Sequence, residues 1–433
     1  MQKKLNQIAV RAKQDRRLKF TSLIHLINAE NLAESYKELK CNKACGIDEV
    51  TVEAYGENLK EKLEILVESM KRKQYQPQPA KRVYIPKAGS KEKRGLGIPT
   101  VESKIVQVML KKILENIYEA DFLDTSYGFR PGRSCHQAVK ALHKAVMNKP
   151  IHYVVEVDIK KFFDNVQHGW LMKCLRERIA DPNILWLVKK FLKAGVVKDG
   201  HYEATEHGTP QGGIVSPILA NIYLHYVLDL WFEKKFKPKT KGYAQLIRYS
   251  DDFVVCCERE IDAKEFLELL KQRLNKFGLE ISENKTKIIK FGKKEWQQAI
   301  RQERRTESFD FLGFTHYGAK SRKGILIAGH KTSKINLARK LKEIKVWLKA
   351  IRNRVCLKDW WAILKAKLTG HYNYFGISGN YQCIKQFHKQ IIWLAFKWIN
   401  RRSQKKSMNM KQYLYYRQVN PLPVPRIRYS LYS

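Results

Sequence analysis

Leu246-Ile247-Arg248-Tyr249-Ser250-Asp251-Asp252-Phe253-Val254-Val255 sets two acids side by side between two apolar runs. Runs rich in Val, Ile, Tyr and Phe that flank a short polar break read as paired strands. Strands are therefore predicted at Gln245–Tyr249 and Phe253–Cys257, separated only by Ser250-Asp251-Asp252. A further strand is expected at Ile151–Val157, ending in Asp158. Both acidic positions thus fall at strand ends. Composition alone leaves their meaning open, because Asp-Asp in a hairpin turn is ordinarily just solvated. Bringing Asp158 beside the turn as well would cost about 4 kcal/mol per carboxylate pair at about 4 Å and an effective dielectric near 20. Divalent cations would remove that cost, and a pair of hard cations held by carboxylates can clamp the two oxygens of a phosphoryl transfer.

Working outward, residues 1–80 read as basic and helical, with Leu59, Leu63, Leu66, Val67 and Met70 spaced for one face. From Arg82 the pattern becomes a strand, Val83-Tyr84-Ile85, a polar turn at Pro86–Lys93, and Leu96-Gly97-Ile98-Pro99, a β-hairpin with a charged tip. Thr100 is placed to cap the next helix, whose Ile105, Val106, Met109, Ile113, Leu114 and Ile117 recur at three- and four-residue steps. Further helices are expected near 167–193, 216–235 and 262–277. Beyond Gly329 strand signals stop, and Leu337, Leu341, Ile344, Trp347, Leu348 and Ile351 lay out a long amphipathic basic helix.

The 433 residues carry 83 Lys and Arg against 42 Asp and Glu, a net charge of +41. A surplus this large repels itself in a compact state unless an anion neutralises it, which points to nucleic acid. Residues 331–433 hold 23 Lys or Arg and only Glu343 and Asp359 as acids, a net +21, so half of the surplus lies in the last quarter. No run of roughly 18 apolar residues is present to span a membrane, and neither a signal-peptide core nor a regular cysteine framework occurs, so a cytoplasmic protein is expected. Cys41 and Cys45 lack the second pair that a four-ligand zinc site requires.

The turn motif follows Val155-Glu156-Val157-Asp158-Ile159-Lys160-Lys161-Phe162-Phe163-Asp164 and Gly208-Thr209-Pro210-Gln211-Gly212-Gly213-Ile214-Val215-Ser216-Pro217. With Ser126–Ser134, Phe311-Leu312-Gly313-Phe314 and Gly370–Ile377, the chain resembles bacterial group II intron-encoded reverse transcriptases with maturase function, of the type lacking an endonuclease domain. The order and spacing match over roughly residues 30–430. One departure is Ser250, where the family usually has alanine.

The resemblance implies an α+β right-hand polymerase with an antiparallel palm sheet backed by helices and an all-helical thumb. It divides the chain into an N-terminal extension and start of the fingers (1–80), a fingers and palm core (81–320), a helical thumb or maturase domain (321–395) and a short basic DNA-binding tail (396–433). It makes Asp158 and Asp251, with the backbone of Ile159, ligands of two Mg²⁺ ions, Asp252 a third active-site carboxylate, and Lys285 the group that protonates pyrophosphate. Lys87, Arg94, Phe163 and Gln211 are implied to bind the nucleotide, Phe163 as the steric gate against a ribose 2′-hydroxyl, and Leu312 and Gly313 to form a primer grip. The expected partners are an RNA template, group II intron RNA, a DNA or RNA primer, dNTPs and target DNA, with no membrane. No His or Cys follows Trp398, so no nuclease is expected. Two other readings stay open on the sequence: an RNA-binding splicing cofactor that no longer polymerises, and a domesticated reverse transcriptase with another template.

Overall fold

In the computed structural model the described residues are 2–41, 43–86, 93–321, 323–402 and 407–432. They form two compact units, one of residues 2–86, 93–135 and 155–288, the other of 136–154 and 289–432.

The first unit starts with the helices Gln2–Gln14, Ala29–Lys37 and Leu59–Lys71, the last of which buries the face that the spacing of Leu63, Leu66 and Met70 predicts. Its central helix is Val101–Tyr118, where Thr100 accepts a hydrogen bond from the Ser103 amide at 3.3 Å and so satisfies one orphan donor of the first turn. Ile105, Val106, Met109, Ile113, Leu114 and Ile117 are all fully buried. The expected charged hairpin is present as the antiparallel strands Ala80–Pro86 and Lys93–Ile98. It belongs to a larger sheet, because Ala80 and Lys81 pair in parallel with Val196 and Val197, and Val196–Lys198 forms its own hairpin with His201–Glu203. Neither of those short strands carries a readable alternation in sequence.

The sheet that carries the acids has the order Ala244–Tyr249, Asp252–Cys257, Tyr153–Asp158, Lys287–Lys290. Its interior positions, Val154, Val155, Leu246, Ile247, Val254 and Val255, are solvent-free. Behind it, the expected helix at 216–235 is α-helical only over Ser216–Leu224 and then widens into π turns at His225–Asp229 and Phe232–Phe236. Wide turns of this kind displace side chains from the faces that a 3.6-residue period assigns.

The second unit combines an antiparallel sheet with helices. Ser308–Phe311, Phe314–Lys320 and Leu326–Thr332 are its strands, so strand structure runs three residues past Gly329, and residues 320 and 321 stand at the turn between two paired strands. The long basic helix is Lys334–Ile351, followed by Leu357–Phe375, Tyr381–Ile399 and Met410–Val419. Trp360, Trp361, Leu364, Leu368, Phe387 and Ile391 are at the centre of their core. Among the described residues no helix is long and apolar enough to cross a membrane.

Candidate active site

Tyr249 and Asp252 are the last paired residues of their strands, which leaves Ser250 and Asp251 as the turn itself. Ser250 takes a left-handed conformation, φ +59°, and is buried. The turn is held from beneath. The amide of Arg248 donates to Thr125 O and that of Tyr127 to Arg248 O, both at 2.8 Å, so the segment before Gly128 lies along the strand edge. A Cβ on Gly128 would come within 2.4 Å of the Ser250 nitrogen, so glycine alone lets the two backbones approach.

Arg248 is the second support, and the motif reading missed it. Its guanidinium is fully buried and bidentate to Asp229, 2.7 and 2.5 Å, and its remaining Nη1 donates to Asn221 Oδ1 at 3.1 Å and to the Ser250 carbonyl at 2.9 Å. Asn221 in turn donates to Gly128 O at 2.7 Å. The π turn at His225–Asp229 places Asp229 for this contact. The only signal in the sequence is an arginine inside an otherwise apolar strand, which demands a buried counter-charge but does not say which.

Asp158 ends the neighbouring strand, half-buried. Its carbonyl accepts from the Ser282 amide at 2.7 Å, and Lys160 N donates to Glu280 O at 2.8 Å. This pairing brings the 282–286 turn alongside, where Lys285 Nζ donates to Asp158 Oδ2 at 2.9 Å. Lys287, two residues on, is an exposed strand residue. Burial raises the Asp251 carboxyl above the usual carboxylate range, with the charge of Asp158 adding to it and Arg94 opposing. Asp252 still reaches solvent, yet it is pushed up to about 6 by the enclosing protein first, then by the charges of Asp251 and Asp158, against Lys285 and Arg94. Three carboxylates and two cations therefore act on one another.

Phe162 is core, whereas Phe163 is half-exposed and lines a cavity of about 360 Å³ with Gln211 and Arg82. Thr209 N donates to Phe163 O at 2.7 Å, and Gln211 Nε2 to Asp164 Oδ1 at 3.2 Å, so the two expected nucleotide residues sit on neighbouring backbone. Arg82, another residue the motif reading passed over, faces this cavity from the hairpin Ala80–Pro86/Lys93–Ile98. Lys87 lies outside the described residues.

Residues 85–316 match the family described as reverse transcriptase (RNA-dependent DNA polymerase). The chain belongs to the reverse transcriptase family. The group II intron-encoded protein LtrA of Lactococcus lactis subsp. cremoris is similar to it, 37% identical over 286 residues that cover 63% of this chain and 47% of that protein. Protein YkfC of Escherichia coli (strain K12) is 39% identical over 248 residues, 56% of this chain and 64% of YkfC. The mitochondrial nuclear intron maturase 2 of Arabidopsis thaliana is 28% identical over 176 residues, 31% and 24% of the two chains. This reverse transcriptase thus spans about half the length of LtrA.

The chain is α+β, with helices packed on antiparallel and mixed sheets. In its second unit Leu312 and Gly313, φ +50° and +81°, make the turn between two strands. The Leu312 carbonyl accepts from the Tyr374 hydroxyl at 3.0 Å and the Gly313 carbonyl from Ser333 N at 3.0 Å, which ties the turn to two helices of that unit. Of the aromatic residues in the basic last quarter of the chain, Trp360, Trp361, Tyr372, Phe375 and Trp398 are core, while Tyr374, Trp393 and Tyr415 are exposed, 37%, 63% and 69%. Among the described residues no group of three His, Cys, Asp or Glu is spaced to enclose a metal ion.

Proposed function

We infer that this reverse transcriptase copies an RNA template into DNA by two-metal nucleotidyl transfer, and that it acts on a group II intron RNA as a maturase. The carrying observation is the electrostatic coupling of Asp158, Asp251 and Asp252 with Lys285 and Arg94 around one strand-end turn.

The donor set fits Mg²⁺. Hard carboxylate oxygens are crowded enough to raise one another's proton affinity, and Mg²⁺ in phosphoryl-transfer sites is held by one or two carboxylates, waters and substrate phosphates rather than by a protein cage. Asp158, Asp251 and the backbone carbonyl of Ile159 would hold two ions. When bound, such ions lower the pKa of an attacking hydroxyl and neutralise charge on the triphosphate and leaving pyrophosphate.

The chain's own residues supply the rest. Asp252 is the third carboxylate of the site. Arg94, with Lys87, carries the charge and fork geometry to hold a triphosphate. Phe163 presents a ring to the cavity beside the acids' strand, where it would exclude a 2′-hydroxyl. Gln211 offers an amide to nucleotide or template. Lys285 is the proton donor to departing pyrophosphate, oriented by its hydrogen bond to Asp158 until substrate arrives. Leu312 and Gly313 would position the primer end.

The organisation proposed is fingers and palm over 81–320, a thumb or maturase domain over 321–395 and a basic tail over 396–433, with DNA or RNA primer, dNTPs and target DNA as partners. The intron assignment is supported by the similarity to LtrA, whose name describes a group II intron-encoded protein, and by the basic last quarter of the chain. Primer extension on an RNA template with Mg²⁺ and dNTPs is the test. Asp251→Ala should give no extended product, and synthesis by that variant would sink the assignment.

A further inference from the structure

The hairpin Val196–Lys198/His201–Glu203 separates two cavities of the first unit. Val196 and Glu203, directly paired, line the cavity that contains Phe163 and Gln211. Tyr202, one residue before Glu203, lines the other, of about 470 Å³. Successive strand residues point to opposite faces, so the second cavity opens on the far side of the same hairpin.

Its lining is lysine interleaved with aromatic rings: Trp186, Lys189, Lys190, Lys193 and Tyr202. Lys190 Nζ lies 5.7 Å from the centre of the Trp186 ring. Tyr202 is 58% exposed and rests on Gly195, where an added Cβ would meet the ring at 2.4 Å. The carbonyl end of the helix Pro182–Leu192 favours lysines in its last turn, which accounts for Lys189 and Lys190 as charges. It does not account for the exposed Tyr202 ring beside the half-buried Trp186. None of the three lysines forms a salt bridge with an acid among the described residues.

We propose that this cleft binds unpaired RNA of the template strand, holding it on the far side of the hairpin from the Phe163 and Gln211 cavity. Lysines neutralise phosphates without regard to sequence, and aromatic faces stack on any base, so the combination suits single strands and not duplex. Carboxylate peptides would use the lysines and leave the rings idle. The proposal rests on the polymerase reading for the identity of the strand.

The test is equilibrium binding of the full chain to a fluorescent RNA template annealed to a DNA primer, with an unpaired template overhang of about two or about fifteen nucleotides. The wild type should prefer the long overhang. Trp186→Ala/Tyr202→Ala should remove that preference, weakening the long-overhang complex about tenfold or more while leaving the short one unchanged. Lys189→Glu/Lys193→Glu, which alters only exposed side chains, should make the salt dependence of long-overhang binding shallower by about 1.4.

A wild type without overhang preference, variants that keep it, or variants that weaken both substrates equally would each overturn the proposal. Competition by poly-glutamate as strong as by oligo-uridylate would overturn it too. Primer extension on the short-overhang substrate reports separately on polymerisation, so absent synthesis with the overhang preference intact would count against that reading alone.

Discussion

Asp229→Asn changes one atom type in a solvent-free site and removes the counter-charge of Arg248. Two of the four side-chain hydrogen bonds of the guanidinium go to Asp229, one to Asn221 and one to the Ser250 carbonyl. The variant therefore leaves a buried cation whose former acceptors are half amide donor. Breaking a buried pair from one side costs about 3–5 kcal/mol. At roughly 2–4 °C per kcal/mol for a unit of this size, the melting temperature should fall by roughly 6–20 °C. Leucine at both 229 and 248 removes the stranded charge and leaves only the Ser250 carbonyl and the Asn221 amide short of a donor, about 1–3 kcal/mol each. At about 2–6 kcal/mol in all, the double variant should thus melt in the same range as Asp229→Asn although it changes two residues and removes four hydrogen bonds. Primer extension should fall in both, because the Ser250 carbonyl is one bond network away from Asp251. Differential scanning calorimetry of the full chain provides the comparison. An Asp229→Asn protein whose stability stays within about 0.5 kcal/mol of wild type, the range of an ordinary surface change, would refute the role given to this pair.

Other outcomes follow from the same site and its neighbours. Asp158→Ala and Asp251→Ala should abolish primer extension yet bind RNA with unchanged salt dependence, since binding rests on lysine and arginine contacts to phosphate; filter binding at several salt concentrations checks this. Asp252 has a folded pKa near 6, above its unfolded value, so the native state holds its proton more tightly and the group destabilises the fold once ionised. Asp252→Asn should accordingly raise the melting temperature at pH 7–8, with the advantage shrinking as pH falls through about 6 toward about 4. In the second unit His143, His330 and His316 form a buried chain, with ring nitrogens 2.9 and 3.0 Å apart, and burial pushes all three below the usual histidine range, His316 to about 4. The unfolded state then takes up protons first, so stability present above about pH 6.5 should be lost on acidification toward 4, and His316→Phe should flatten that dependence in thermal melts. Lys285→Ala should slow nucleotide addition far more than Lys287→Ala, as single-turnover kinetics would show; equal effects would remove Lys285 from the site.

The sequence determined the local structure because its signals are local. Alternation and β-branched content set the strands around Ser250-Asp251-Asp252, Thr100 set the start of its helix, and three- and four-residue steps set the faces of Val101–Tyr118 and Lys334–Ile351. Motif order then marked Asp158 and Asp251 as one site although 93 positions part them. Tertiary structure decided what depends on partners distant in the chain. Lysines 285 and 287 are alike in local sequence; the resemblance names the first, and the pairing of Ser282 with Asp158 is what brings it to a carboxylate. Trp360, Trp361, Tyr372, Phe375 and Trp398 are core while Tyr374, Trp393 and Tyr415 are exposed, a distinction that helical spacing cannot make when both faces carry rings. The parallel pairing of Ala80 with Val196 joins segments too short to show a period, and it creates the hairpin with a cavity on each side. Arg248 asked in sequence for a buried anion. That the answer is Asp229 was fixed by a π turn, whose hydrogen-bond pattern reflects how the helix packs on the sheet and leaves no mark in the residues that form it.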